Sequence, residues 1–185
     1  MKSQSLFVIV LLASFAFMAC NPAAESLEAT KAIQTDWAGA TTQVGEFATK
    51  AANEYANWEA MYKGMYVNED AQEPMPEALQ AKLDSLKSVC KGHGESYQSL
   101  QNDVTAFTEK WGTNGKKLNS LVATLEKGNV PSDIDQLVTG FEANIKDGAT
   151  QLGMWEEKLT ATKEACFETC QTYARLADTP NPAIK

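Results

Sequence analysis

The chain has little of what enzyme active sites are usually built from. It contains one histidine among 185 residues, and no Gly-rich phosphate loop, nucleophile elbow or paired-carboxylate pattern stands out. Positively charged residues are also few. The chain has 16 Lys and Arg against 24 Asp and Glu, which gives a net charge of −8. This charge argues against a nucleic-acid partner. We predict a protein that is not an enzyme and holds no cofactor.

Proline and glycine are also scarce, with 6 and 11 residues, and they stand at separated points of the chain. Ala, Leu, Lys, Glu and Gln, which favour helices, are abundant. Because 44% of the residues are hydrophobic, the chain can bury a core. Length and composition therefore predict one all-α domain.

Apolar residues recur in steps of four and three along three segments, which is the pattern of helices packed in a coiled coil. The three seams lie at residues 27–65, 79–125 and 138–176. Prolines and acids at residues 67–76 separate the first two seams, and Gly128 and Pro131 separate the last two. Such interruptions end helices.

The seams predict an elongated antiparallel three-helix bundle with left-handed coiled-coil packing and helices at residues 24–66, 76–127 and 132–177. This shape resembles a spectrin-type three-helix module, as an analogy of shape alone. Gly92 and Gly94 interrupt the second seam, and each weakens a helix by about 1 kcal/mol relative to alanine. A four-helix bundle with a break at Gly92–Gly94 is therefore the alternative.

Residue counting away from each turn predicts which side chains face each other. It places Trp111 of the second helix opposite Gly148 of the third, so that a large residue meets a small one, as a filled core requires. Between the first two helices it places Leu86 opposite Trp58. The helical domain covers residues 24–178 in this interpretation, and residues 179–185 form a tail.

The first 20 residues carry a different signal. Lys2 is followed by an apolar run from Leu6 to Met18, which is too short for a permanent membrane span but typical of a secretory signal. The run closes on Phe17-Met18-Ala19-Cys20, which resembles the lipobox of bacterial lipoproteins. In that class Leu, a small residue, and Ala or Gly precede an obligatory cysteine, so Phe17 and Met18 depart from the pattern.

The lipobox resemblance implies that residues 1–19 are removed and that Cys20 is acylated, with palmitate among the acyl chains. Residues 20–23 would then be a lipidated tether. Asn21, rather than Asp, favours the outer membrane over the inner membrane by resemblance to the enteric sorting rule. The alternative is an ordinary secretory signal that is cut nearby and leaves Cys20 an incidental thiol.

Three cysteines and the histidine fall together on the second and third seams. Cys90 and His93 are three residues apart, Cys166 and Cys170 are four apart, and the register places His93 opposite Cys166. Three interpretations stay open. One is a disulfide from Cys90 to Cys170 or Cys166, which an oxidising compartment favours; another is a metal or haem-type site using all four residues; the third is plain core packing.

Two functions are compatible with these features. The favoured one is a non-catalytic cell-envelope lipoprotein, anchored in the membrane by lipid, whose helical bundle binds or spaces another envelope protein through its flanks or its distal tip. The acidic loop near residues 66–77 would lie at that tip, although a solvated turn has the same composition. The alternative is a redox or metal-binding lipoprotein that works at Cys90, His93, Cys166 and Cys170.

Overall fold

The computed structural model describes residues 22–65 and 75–177, which form three α-helices. α1 spans Pro22–Lys63, α2 spans Glu77–Glu126 and α3 spans Ile134–Ala177. The predicted bounds differ from these by three residues at most. All three helices pack against one another, and no strand occurs in the described ranges. The predicted all-α three-helix bundle is confirmed.

α2 is one continuous helix, so the four-helix alternative is wrong. It contains 50 residues and is about 75 Å long at 1.5 Å per residue. Gly92 lies at an exposed position and Gly94 at a buried one. The low helix propensity of two glycines is outweighed because packing along an apolar face supplies most of a helix's stability in a protein.

The helices run up, down and up. Lys31 near the start of α1 pairs with Glu126 at the end of α2, with 2.9 Å between Nζ and Oε1, so α1 and α2 are antiparallel. α1 and α3 run in the same direction, because Trp37 packs edge-on against Phe141 and, further along both helices, Phe47 stacks on Trp155. The third helix therefore returns beside the first.

The turn between α2 and α3 depends on Gly128. Its φ is 78°, in the left-handed region where a side chain is strained and glycine is favoured. The Gly128 N–H donates to the Leu125 carbonyl at 2.9 Å, and the Asn129 N–H donates to the Thr124 carbonyl at 3.3 Å. These bonds satisfy carbonyls at the end of α2. The turn lies beside the start of α1, since Leu27 and Ile134 pack in the same cluster.

The core divides into two apolar clusters along the rod. The cluster nearer the α2–α3 turn is built around Trp37, Trp111 and Phe141. The larger cluster runs to the opposite end, where the end of α1, the beginning of α2 and the end of α3 meet. At that end it includes Met65, Met75, Leu79, Leu176 and Ala177. Most of the predicted acidic loop, residues 66–74, and the predicted tail, residues 179–185, lie outside the described residues.

The predicted register is right between α2 and α3 and wrong between α1 and α2. A Cβ built on Gly148 would lie 2.9 Å from Cζ3 of Trp111, so these two residues face each other as predicted. Trp58, however, lies on Gly94, about two helical turns beyond Leu86. The predicted register between α1 and α2 placed the turn at the midpoint of the long connection between these helices. A connection of that length does not fix where the chain turns.

Candidate functional site

Three cysteines from two helices meet in the core, and we refer to Cys90, Cys166 and Cys170 as the thiol trio. The Sγ atom of Cys170 lies 3.8 Å from that of Cys90 and 3.9 Å from that of Cys166. All three sulfurs lie within 4.8 Å of one another. Cys90 and Cys166 are fully buried, and Cys170 is half-buried. The juxtaposition that the seams predicted is therefore present.

Helix periodicity and one tryptophan position the trio. Cys166 and Cys170 are one turn apart and share a face of α3, and Cys90 projects from the opposing face of α2. Trp58 on α1 donates its indole N–H to the Cys90 carbonyl at 2.8 Å. The Trp58 ring also packs on Gly94, one helical turn beyond Cys90. α1 therefore contacts the backbone of α2 at both ends of the turn that carries Cys90.

His93 is held by another partner. Its Nε2 atom is 3.1 Å from the Thr169 hydroxyl, and that hydroxyl donates its single hydrogen to the Ala165 carbonyl at 2.9 Å. His93 must therefore donate its Nε2–H, and the Thr169 oxygen accepts it. Burial lowers the pKa of His93, which favours the neutral ring. Of the four residues in the predicted metal or haem-type site, the structure brings only the thiol trio together as a group of potential ligands within the described ranges.

The predicted disulfide is not present in the structure. All three cysteines of the trio are free, and the separation between the sulfurs of Cys90 and Cys170, 3.8 Å, is far above the S–S bond length of about 2.05 Å. The structure therefore presents the reduced form.

Burial keeps Cys90 and Cys166 protonated. Desolvation, followed by the neighbouring Cys170, raises the pKa of Cys90 to about 11. The same two causes raise the pKa of Cys166 to about 12. Tyr97, whose ring is buried beside these cysteines, also has a raised pKa, first through desolvation and then through Cys166. At neutral pH the buried thiols are uncharged and react slowly as nucleophiles.

A groove of about 670 Å³ opens between α1 and α3 beside Tyr97. Two exposed apolar side chains, Met61 and Phe167, lie on its lining and are 39% and 55% exposed. An ion pair between Lys163 and Glu54 joins the two helices there. The heptad pattern did not predict this groove. The signal that could have found it is a large apolar residue standing off the seams, as both Met61 and Phe167 do.

Comparison of the chain with protein-family models, with curated proteins and with solved structures finds no match in any of the three. No helix in residues 22–65 and 75–177 has the length and hydropathy needed to cross a membrane. The predicted signal peptide and the predicted lipidation at Cys20 lie outside the described residues.

Proposed function

We propose that the protein is a non-catalytic lipoprotein of a bacterial cell envelope and that its bundle is a rod spacing or binding another envelope protein. The observation that carries the proposal is the lipobox-like sequence ending at Cys20, immediately before α1, which is described from Pro22. A lipid on Cys20 would lie two residues along the chain from Pro22, where α1 begins. The outer membrane is the favoured location because Asn21 follows the cysteine.

The bundle supports a spacer role by its length and its direction. α1 contains 42 residues, which corresponds to about 63 Å at 1.5 Å per residue. The Lys31–Glu126 ion pair puts the α2–α3 turn at the same end as Pro22. An anchor at Cys20 would therefore hold this turn at the membrane and present the Met65 and Met75 end to a partner far from it.

Metabolic labelling with a fatty-acid analogue tests the anchor. We expect the wild-type protein to incorporate the label in a bacterial host and the Cys20→Ala variant to incorporate none. Cys170→Ala is the matched control, because it removes another cysteine and should keep the label. Equal labelling of wild type and Cys20→Ala would reject the lipoprotein proposal.

Energy transfer from a lipid-bound dye tests the rod separately. The lipidated protein is placed in vesicles and labelled at a cysteine introduced at Asn129 or at Pro76, in a background without the thiol trio. We expect strong transfer from Asn129, in the α2–α3 turn, and weak transfer from Pro76 at the opposite end. Equal transfer from both positions would mean that the rod lies flat, and the spacer role would be wrong while the anchor stands.

Export would also expose the thiol trio to oxidation. We propose that the pair that closes in the oxidised protein is Cys90–Cys170, because these sulfurs are 3.8 Å apart on different helices. Cys166 and Cys170 lie on one helical turn, where disulfide geometry is poor. The two thiols would lose two protons and two electrons to a thiol–disulfide oxidoreductase. Peptide mapping without reductant should recover Cys90 linked to Cys170; a Cys166–Cys170 link would contradict this pairing.

A further inference from the structure

We propose that the reduced thiol trio binds one thiophilic metal ion through the three sulfurs of Cys90, Cys166 and Cys170. A passive rod has no need of three cysteines in one layer of its core. The inference goes beyond the rod function and does not depend on the lipid anchor.

The spacing of the sulfurs fits a shared ion. Zinc-type ions bind thiolate sulfur at about 2.3 Å, so two ligands of one ion are separated by about 3.8 Å in a tetrahedral site and about 4.0 Å in a trigonal one. The Cys170 sulfur is 3.8 Å from that of Cys90 and 3.9 Å from that of Cys166, and all three sulfurs lie within 4.8 Å of one another. Two of the three sulfur separations therefore already match those of ligands that share one ion.

The donor set selects the class of ion. Thiolates favour soft ions such as Cu(I), Zn²⁺ and Cd²⁺, whereas Mg²⁺ and Ca²⁺ require oxygen ligands. Within the described residues, the group of facing ligand atoms contains three sulfurs and no carboxylate oxygen. Cys170 is half-buried while the other two cysteines are fully buried, so we infer that the ion enters from the side of Cys170.

Binding must displace protons. A divalent ion that takes up three thiols forms a complex of charge −1 and releases three protons to solvent, with no oxidation or reduction. Because thiol ligands must lose their protons to bind a metal, binding is expected to strengthen as the pH rises.

His93 provides a sharp control for the ligand set. It lies one turn from Cys90 on α2 and is the single histidine of the chain, yet its Nε2 is bonded to Thr169. A three-sulfur site predicts that His93→Ala binds the ion as tightly as the unaltered protein. A mixed cysteine and histidine site predicts a large loss.

The experiment is a titration with Cd²⁺, followed by its thiolate-to-metal absorption in the ultraviolet. The protein is the full chain in detergent under a reductant that does not bind metals, with Cys20→Ser so that only the trio remains as thiols. We expect saturation at one ion per chain, release of three protons in weak buffer, and displacement by Cu(I) but not by Mg²⁺. Cys170→Ser should weaken binding by at least about 100-fold.

Three results would overturn the proposal. If Cys170→Ser binds as tightly as its parent, or fewer than three protons are released, the ion is not held by the trio. If His93→Ala loses as much affinity as Cys170→Ser, the ligand set is wrong. Circular dichroism of each variant separates loss of a ligand from loss of the fold, and Cys170 is the position to replace because it is half-buried. Fatty-acid labelling of the chain that retains Cys20 is unaffected by any of these results, so the anchor is judged independently.

Discussion

The indole ring of Trp58 lies directly on the backbone of Gly94. A Cβ added to Gly94 would come within 2.0 Å of the ring carbon Cζ2, a distance that real Cβ atoms do not reach. The same ring donates its N–H to the Cys90 carbonyl at 2.8 Å. α1 therefore packs closely against α2 beside the thiol trio, and the absence of a side chain at Gly94 makes this approach possible.

The substitution Gly94→Ala should destabilise the protein. Alanine favours a helix over glycine by about 1 kcal/mol, but here the added methyl group must push the buried Trp58 ring away, and overpacking of this kind costs about 1 to 3 kcal/mol. We expect a net loss in the free energy of unfolding, measured by urea denaturation followed by circular dichroism.

Gly92→Ala is the matched control for this prediction. Gly92 lies two residues away on α2, and apart from its chain neighbours and its own helix backbone no described atom lies within 4 Å of a Cβ built there. The substitution should stabilise the protein by about 0.5 to 1 kcal/mol. The two variants are therefore expected to change stability in opposite directions, and a gain of similar size in both would show that Trp58 does not need Gly94.

The sequence was sufficient to predict three helices because each seam keeps its phase to the next proline or glycine turn. It also gave the register between α2 and α3, where the turn at Gly128 is short. The glycines inside α2 were interpreted only as weak points. Which glycine packs against which aromatic ring depends on the three-dimensional register of the helices. The long connection between Lys63 and Glu77 left that register undetermined between α1 and α2.

Gly148 makes the same kind of contact on α3. A Cβ there would lie 2.9 Å from Trp111 Cζ3, and Trp111 is itself stacked on Trp37 with 3.8 Å between ring centroids. Gly148→Leu should therefore disturb two rings and cost about 1 to 3 kcal/mol. Thermal unfolding is the measurement, and Gly153→Leu, at an exposed position with no described atom within 4 Å of its Cβ, is the control. An unchanged melting temperature in Gly148→Leu would count against this packing.

The candidate site could be predicted in part. Heptad spacing brings Cys90, Cys166 and Cys170 to one layer, because residues three and four apart share a helix face. The bond from His93 to Thr169 could not be predicted, since the threonine hydroxyl competes with the sulfurs for the same side chain. Spacing along a helix shows which residues share a face, and it does not show which neighbour each one will bond.

We expect the same substitution to have different effects at Trp111 and at Trp155. Trp111 donates its N–H to the Thr41 hydroxyl at 2.8 Å, whereas the buried Nε1 of Trp155 has no hydrogen-bond partner among the described residues. Replacing either ring with phenylalanine removes similar volume, but only Trp111→Phe removes a hydrogen bond, which contributes about 1 kcal/mol. Trp155→Phe should therefore be less destabilising by about that amount in urea denaturation. The reverse order would mean that Trp155 Nε1 is paired in solution.

The thiol trio should be alkylated in a fixed order. With Cys20→Ser in the background, iodoacetamide at neutral pH should modify the half-buried Cys170 first, because Cys90 and Cys166 are fully buried.

Burial also raises the pKa of these two thiols, Cys90 and Cys166, to about 11 and about 12, well above about 8.5 for an ordinary cysteine. Only the thiolate reacts, so their rates should continue to rise about tenfold per pH unit beyond the point where a free thiol levels off. Peptide mass mapping at several pH values, with the urea-unfolded chain as control, measures each rate. Equal rates at all three cysteines in the folded protein would contradict the buried, protonated state of Cys90 and Cys166.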